Sequence, residues 1–212
     1  IFIVYSNGIY KAYEYVFENY ADYNSLKLVK QKNYSIECTD ISQEDIESVF
    51  NDTTSSDEPK IPFPQADIFD RVINLCELLF EKSLSRNEVT EEYAFDVRQT
   101  NYYSDAARYL GLVIKSSKES NVLYELTDTC RGALCMKYKE RQLFFCKCIL
   151  SHRVFHETFK RTLANGKIPD KSEIVQIMKN SNLYGIDSES TFERRASTIR
   201  GWLNWIISVR TI

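Results

Sequence analysis

The chain has 212 residues, enough for one large domain or two small ones with a buried core. A composition of 43% hydrophobic and 27% charged residues is that of a globular protein and excludes wholesale disorder. No apolar run approaches the ~20 residues that span a bilayer, and no signal-peptide pattern opens the chain. We therefore expect a cytoplasmic protein with no membrane partner. Because the first residue is Ile, we expect it to be part of a longer protein.

The net charge of −3 is distributed unevenly along the chain. Residues 1–60 contain five Lys, no Arg and eleven Asp or Glu, whereas the remaining residues contain 22 basic and 19 acidic side chains. All twelve arginines lie at or after Arg71. A basic C-terminal two-thirds is compatible with contacts to nucleic-acid phosphates. The six cysteines lack a secreted-type spacing, which predicts reduced thiols.

The first 58 residues are predicted to be a β-rich segment, the end of a truncated upstream domain. Apolar and β-branched residues at 1–5, 9–17 and 25–36 predict strands, with a turn signal at 6–8. Residues 41–50 predict a short acidic helix. A polar linker follows at 51–59, where prolines begin to disfavour helix, and we place a domain boundary there.

Residues 62–127 predict a winged helix-turn-helix. The first helix follows from apolar residues at Ile68, Val72, Leu75 and Leu79. The second and third helices begin at caps, and a hairpin follows them. The predicted signals are Ser85 with Glu88 as a capping box, Asp96 capping a helix over 97–110, Gly111 ending it, and strands at 112–115 and 122–126.

Residues 128–212 predict a helical domain with a second helix-turn-helix-like unit. The first predicted helix begins at 127 or 128. A separate long helix is predicted over 139–163, and a short helix is predicted to start at Ser172. Ser188 or Ser190 is predicted to cap the last helix. The fold class is therefore mainly α (α+β), with a small amount of strand.

The third predicted helix carries the first candidate DNA contacts. A helix entering the major groove needs long polar side chains near its N-terminus. Arg98, Gln99, Asn101 and Tyr102 fit this requirement, and Lys115 and Lys118 in the wing are placed to contact flanking DNA. The predicted inward residues are Val97, Tyr103, Ala106, Ala107 and Leu110. The alternative interpretation is a winged helix that contacts only protein.

The last helix carries the second candidate set, Arg194, Arg195, Thr198 and Arg200. Clustered arginine and hydroxyl side chains suit phosphate contacts, which position a protein on duplex DNA without reading bases. The alternative is a solvated helix face that is salt-bridged to Glu189 and Glu193.

A metal site at Cys148, His152 and His156 is disfavoured, although their i, i+4, i+8 spacing places them on one face of the predicted long helix. The outer two ligands would lie ~12 Å apart, too far for one ion. We therefore predict no metal, and expect a buried cysteine with capping or surface histidines.

Catalytic motifs are missing from the sequence as well. Residues 8–10 are similar to one strand of the GIY-YIG nucleases, but neither the matching Tyr-Ile-Gly nor an early arginine is present. No carboxylate cage, catalytic triad or P-loop is visible. Whether the protein is an enzyme stays open; we predict no catalytic residue and no cofactor in this chain, with Mg²⁺ relevant only if a nuclease domain lies outside it.

Several stretches from Pro62 onward form a recognisable pattern: 63–67 with Phe69, 95–99 with Tyr102 and Tyr103, 107–113, Leu126 with Thr127, 150–155 and 194–205. On these residues, about 150 positions resemble the C-terminal winged-helix DNA-recognition region of bacterial type II restriction-endonuclease-like proteins. Arg153 stands where the family has Pro, and the Gly expected after Thr127 is displaced to Gly132.

The resemblance implies sequence-specific binding of double-stranded DNA, as the recognition part of a restriction endonuclease or a related restriction–modification or defence protein. A homodimer is one assembly that we consider. The alternatives are a winged-helix transcription regulator that uses the same module, and a protein–protein interaction scaffold without DNA contact.

Overall fold

The computed structural model describes residues 2–6, 9–13, 40–92, 96–118 and 121–210, with side chains for 40–92, 96–116 and 122–210. The chain divides into two compact units, Ile1–Cys38 and Thr39–Ile212. In the first unit, β1 (Phe2–Ser6) and β2 (Ile9–Tyr13) pair antiparallel, with Tyr5 opposite Tyr10. The strand predicted at 25–36 lies outside the described residues.

The second unit is mainly helical and has a small sheet, which confirms the coarse fold class. Its helices are α1 (Gln43–Asp52), α2 (Phe69–Leu78), α3 (Arg86–Glu92), α4 (Val97–Tyr109), α5 (Asp128–Leu134), α6 (Tyr138–Leu150), α7 (Arg153–Asn165), α8 (Lys171–Lys179) and α9 (Glu189–Ser208). Its strands are β3 (Leu84–Ser85), β4 (Val113–Lys118) and β5 (Asn121–Leu126). Within the described ranges, no helix is both long and apolar enough to cross a membrane.

Several helices begin where a local side chain caps them. The side chain of Asp96 accepts a hydrogen bond from the backbone N–H of Gln99 at 2.8 Å, and that of Thr127 accepts one from Cys130 at 3.2 Å. Gly111 adopts a left-handed φ of +69° after α4, as expected for a helix-ending glycine. One predicted start is displaced, because Asp170 rather than Ser172 caps α8.

The sheet contains a strand that the sequence did not predict. β3 has only two residues, and it pairs antiparallel with β5, placing Leu84 opposite Tyr124 and Ser85 opposite Leu123. With β4 on the other side of β5, the strand order is β3-β5-β4. Leu84 is fully buried, so this short pairing joins the start of α3 to the hairpin.

The predicted long helix over 139–163 is wrong, because the chain breaks it into α6 and α7. His152 between them has an extended backbone, with φ −89° and ψ 131°. Distant residues stabilise the break: the Ser56 N–H donates to the Ser151 carbonyl at 2.8 Å, and the Val154 N–H donates to the Glu58 carboxylate at 3.0 Å. The predicted polar linker at 51–59 is thus packed against the start of α7.

One hydrophobic core runs through the second unit. Phe155 stacks on Trp202 at a centroid distance of 5.0 Å, and Phe69 meets Trp202 edge-on at 5.1 Å. These contacts join α2, α7 and α9 around large buried rings. The core thus extends across the proposed boundaries near residues 60 and 127, and those boundaries stay predictions.

Helix α9 packs closely against the segment that leads into α2. The Trp202 indole donates to the Ala66 carbonyl at 2.6 Å, and the Trp205 indole donates to the Asp70 carboxylate at 2.9 Å. A Cβ added at Gly201 would lie 2.1 Å from the Asp67 carbonyl oxygen, a separation no side chain tolerates. Glycine at this position therefore permits the close approach of the two backbones.

Candidate nucleic-acid interface

Helix α4 presents a polar outward face. The helical period places on that side Val97, Arg98, Asn101, Tyr102, Asp105 and Arg108, each exposed or half-buried. The opposite side buries Tyr103, Ala106 and Ala107 in the core. We call the six outward residues the α4 face. None of the six belongs to the buried core, so their side chains can serve recognition.

The backbone of α4 is held from its buried side. Thr100 is fully buried and shares a 2.9 Å hydrogen bond with the Thr90 hydroxyl of α3. The Arg71 guanidinium lies 5.7 Å from the centroid of the Tyr103 ring. At the N-terminus, the Gln99 side-chain oxygen accepts from the Asp96 N–H at 3.3 Å, so this predicted DNA contact also completes the helix cap.

The prediction that Val97 packs inward from α4 is wrong. The residue is 46% exposed. The reason is positional, since Val97 lies one helical turn before Asn101 on the outward side. An exposed apolar side chain at the start of a polar face could contact the methyl group of thymine.

Arg195 of α9 lies beside the α4 face. Its guanidinium is half-buried and donates to the Phe63 carbonyl, while its Nε is buried without a hydrogen-bond partner. Burial and the adjacent Arg194 lower the pKa of Arg195, and Tyr102 and Asp105 of α4 oppose that shift. Within the described part of the chain, no carboxylate lies within 4.0 Å of either guanidinium.

The other two members of the predicted α9 set lie elsewhere. Thr198 is only 1% exposed, and its hydroxyl accepts from the Ala66 N–H and donates to the Pro64 carbonyl, both at 3.2 Å. Its side chain therefore cannot reach a phosphate, and we leave it out of the interface. Arg200 is exposed, but it lies roughly 140° around the helix from Arg195. The cluster expected on α9 is thus reduced to Arg194 and Arg195.

The hairpin places a lysine against the α4 face. The Lys115 ammonium lies 3.4 Å from the Asp105 carboxylate and 5.5 Å from the centroid of the Tyr124 ring. Arg108 contacts the same carboxylate at 2.9 Å. Asp105 and Arg108 were not among the predicted site residues, although the helical period from Arg98 and Asn101 places them on the same face. The Lys118 side chain lies outside the described residues.

The three residues considered as metal ligands, Cys148, His152 and His156, do not share one helix. His152 lies between α6 and α7, where it stacks on Tyr109 at 4.1 Å and its Nδ1 is 3.6 Å from the Glu58 carboxylate. His156 stacks on Phe50 at 4.4 Å. No group of three or more candidate ligands among the described residues could hold a metal ion. The five described cysteines are free thiols.

The structure thus defines a mainly helical protein in which a polar helix face, a small antiparallel sheet and an arginine pair adjoin. Residues 71–211 match the family described as "Domain of unknown function (DUF7226)", and the chain belongs to that family. Residues 1–35 match a second one, "Domain of unknown function (DUF6997)". No curated protein and no solved structure matches the chain. The first match includes the α4 face, Arg194 and Arg195.

Proposed function

We propose that residues 62–127 form a winged helix-turn-helix that binds double-stranded DNA sequence-specifically. We further propose that the chain is the recognition part of a restriction endonuclease or a related defence protein. The order α2, β3, α3, α4, β4, β5 supports the first proposal, because a helix-turn-helix followed by a hairpin wing has this order. In such a unit α4 would be the recognition helix that enters the major groove.

The observation that carries the proposal is the composition of the α4 face. Arg98, Asn101 and Tyr102 point outward within the first two turns of the helix, where recognition helices contact base edges. Arginine can bind guanine through two hydrogen bonds, and asparagine can bind adenine in the same way. Because the opposite side of α4 supplies its packing, these side chains are available for DNA.

Arg194 and Arg195 add a phosphate-binding position beside that face. Among the described residues, no carboxylate lies within 4.0 Å of either guanidinium, and burial first and the adjacent Arg194 second lower the pKa of Arg195. A bound phosphate would use donors that the Phe63 carbonyl leaves available. In this arrangement α9 positions the protein on the duplex while α4 contacts the bases.

The first test is a binding selection on random duplex DNA, followed by affinity measurements on the selected sequence. We expect Arg98→Ala to weaken binding to that sequence by ~1–3 kcal/mol and to relax the base preference. Arg200→Ala is the matched control, because Arg200 is an exposed arginine outside the proposed interface. Unchanged affinity of Arg98→Ala for the selected duplex would contradict the assignment of α4 as the recognition helix.

The second test removes the arginine pair. Arg194→Ala combined with Arg195→Ala should weaken binding to all duplexes alike, and each lost phosphate contact should make the log–log salt dependence shallower by about 0.9. Arg153→Ala combined with Arg161→Ala serves as the charge-matched control on α7. A loss confined to the selected sequence would contradict a phosphate role for Arg194 and Arg195.

The alternative functions are separated by two readouts. Ile114 and Val122 are exposed apolar side chains on the hairpin, and they favour a protein-binding module as the second candidate. Duplex binding that weakens steeply with salt would exclude that candidate, because counterion release requires a DNA contact. Because no catalytic residue is predicted in this chain, the selection with and without Mg²⁺ is run on a longer protein that contains the chain; Mg²⁺-dependent cleavage of the duplex there distinguishes an endonuclease from a transcription regulator. Sedimentation of the free protein and its complex tests the homodimer.

A further inference from the structure

A carboxylate lies among the cations of the α4 face. Asp105 Oδ1 is 2.9 Å from Arg108 Nη1 and 3.4 Å from Lys115 Nζ. The Asp105 side chain is 32% exposed, and it is near enough to Arg195 to affect that group electrostatically. One acidic group thus faces cations from α4, from β4 and from α9.

The cap and the core packing of α4 do not involve this carboxylate. The helix begins at the Asp96 cap, and its buried side is held by the Thr90–Thr100 hydrogen bond and by the packing of Tyr103. Ion pairs that remain partly open to solvent, as these do, contribute little to stability. A negative charge on a DNA-binding surface instead opposes phosphates and neutralises the cations that would contact them.

We propose that Asp105 sets the sequence-independent part of the DNA affinity, acting as an internal counter-ion for Arg108 and Lys115. This inference rests on the proposed function. In the free protein the carboxylate occupies the donors that a phosphate would use, so every duplex must compete with it. Base contacts from Arg98 and Asn101 offset that competition on the target sequence, whereas other sequences stay weakly bound.

The experiment measures fluorescence anisotropy of labelled duplexes with the whole 212-residue chain over a salt series. One duplex carries a random sequence and the other the sequence obtained by selection. At low salt, Asp105→Asn should bind both duplexes about fivefold more tightly, with a gain that disappears as salt screens the charges. Glu140→Gln is the control, since it changes the net charge equally at an exposed position of α6.

A second set of variants tests whether Asp105 acts through its two partners. The affinity gain from Asp105→Asn should be lost when Arg108→Gln and Lys115→Gln are already present. If the gain persists in that background, the counter-ion role is overturned. Thermal unfolding of each variant verifies that the fold is intact.

The remaining outcomes separate this inference from the proposed function. If the parent chain binds duplex DNA but Asp105→Asn behaves like Glu140→Gln, only the role of Asp105 is overturned. If Asp105→Asn loses affinity for the selected duplex alone, Asp105 reads a base and the counter-ion role is overturned. If no variant binds duplex DNA even at low salt, the proposed function itself fails.

Discussion

Two carboxylates in the protein make contacts between elements in opposite environments. Glu58 has a side chain only 2% exposed; it accepts hydrogen bonds from the Tyr109 hydroxyl and, at 3.0 Å, from the Val154 N–H. Asp105 is 32% exposed and faces two long, flexible cationic side chains. Glu58 therefore joins α4 to the start of α7, whereas Asp105 joins α4 to β4.

Burial decides how much a carboxylate contributes to the stability of the fold. Because the Glu58 side chain is almost fully buried, a donor that loses this acceptor is left unsatisfied. Around Asp105, water and salt screen the charges, so the pairs add little stability and remain exchangeable. We expect Glu58 to matter for the fold and Asp105 to matter for binding.

The largest expected effect is on Glu58. Glu58→Ala would leave the buried Tyr109 hydroxyl and Val154 N–H without their acceptor, and should lower the free energy of unfolding by ~2–4 kcal/mol. Urea denaturation measures this loss. Asp57→Asn on the same segment is the control, because Asp57 is exposed. A loss no larger than that of Asp57→Asn would remove the proposed difference between the two carboxylates.

A smaller effect is expected when the Tyr109 hydroxyl, which donates a hydrogen bond to Glu58, is removed. Tyr109→Phe keeps the ring that stacks on His152 but removes the hydroxyl, and should lower the free energy of unfolding by ~1–2 kcal/mol. Tyr184→Phe provides the control at an exposed tyrosine. Equal stability of the two variants would indicate that the Glu58 contact contributes nothing.

Tyr109→Phe also tests how the stability of the protein depends on pH. Burial first, and then Glu58, raise the pKa of Tyr109 well above its ordinary value. The folded state holds the Tyr109 proton more tightly than the unfolded state does. The stabilisation that this proton contributes is therefore complete below about pH 10, and it is lost as the pH rises toward the folded pKa. Unfolding measured above pH 10 should therefore show a shallower alkaline loss in Tyr109→Phe than in the parent chain. An identical alkaline slope would contradict the shifted pKa.

The smallest expected effect on stability is that of Asp105→Asn. Because both of its ion pairs are partly exposed to solvent, the free energy of unfolding should change by less than ~0.5 kcal/mol. Urea denaturation of Asp105→Asn and of Glu58→Ala under the same conditions compares the two losses in free energy of unfolding directly. A loss similar to that of Glu58→Ala would place Asp105 among the structural carboxylates and weaken its assignment to DNA binding.

Local signals were sufficient to predict α4 and much of its face. The Asp96 cap, the helical period and Gly111 all act within a few residues, so the sequence predicts where the helix begins, which side is buried and where it ends. The hairpin after it is also local. Arg98, Asn101 and Tyr102 therefore lie outward as expected, although Val97 accompanies them.

Long-range contacts explain what the sequence could not predict. The break before α7 depends on Glu58, which is 96 residues from Val154, and the burial of Thr198 depends on Ala66, 132 residues away. The helical pattern runs through both α6 and α7 without a Gly or Pro between them, so no local residue signals that break. The position of Arg195 beside α4 likewise requires knowledge of how α9 packs.

The close approach at Gly201 has a consequence for the precision of the interface. A helix held only by apolar side chains can shift along its axis, and one residue of sliding would move its side chains by about 1.5 Å. Gly201 admits the Asp67 carbonyl at a single point along α9, and neighbouring positions carry side chains that cannot. That contact sets the register of α9 against the segment that leads into α2, and the backbone thereby sets where Arg194 and Arg195 lie along that segment.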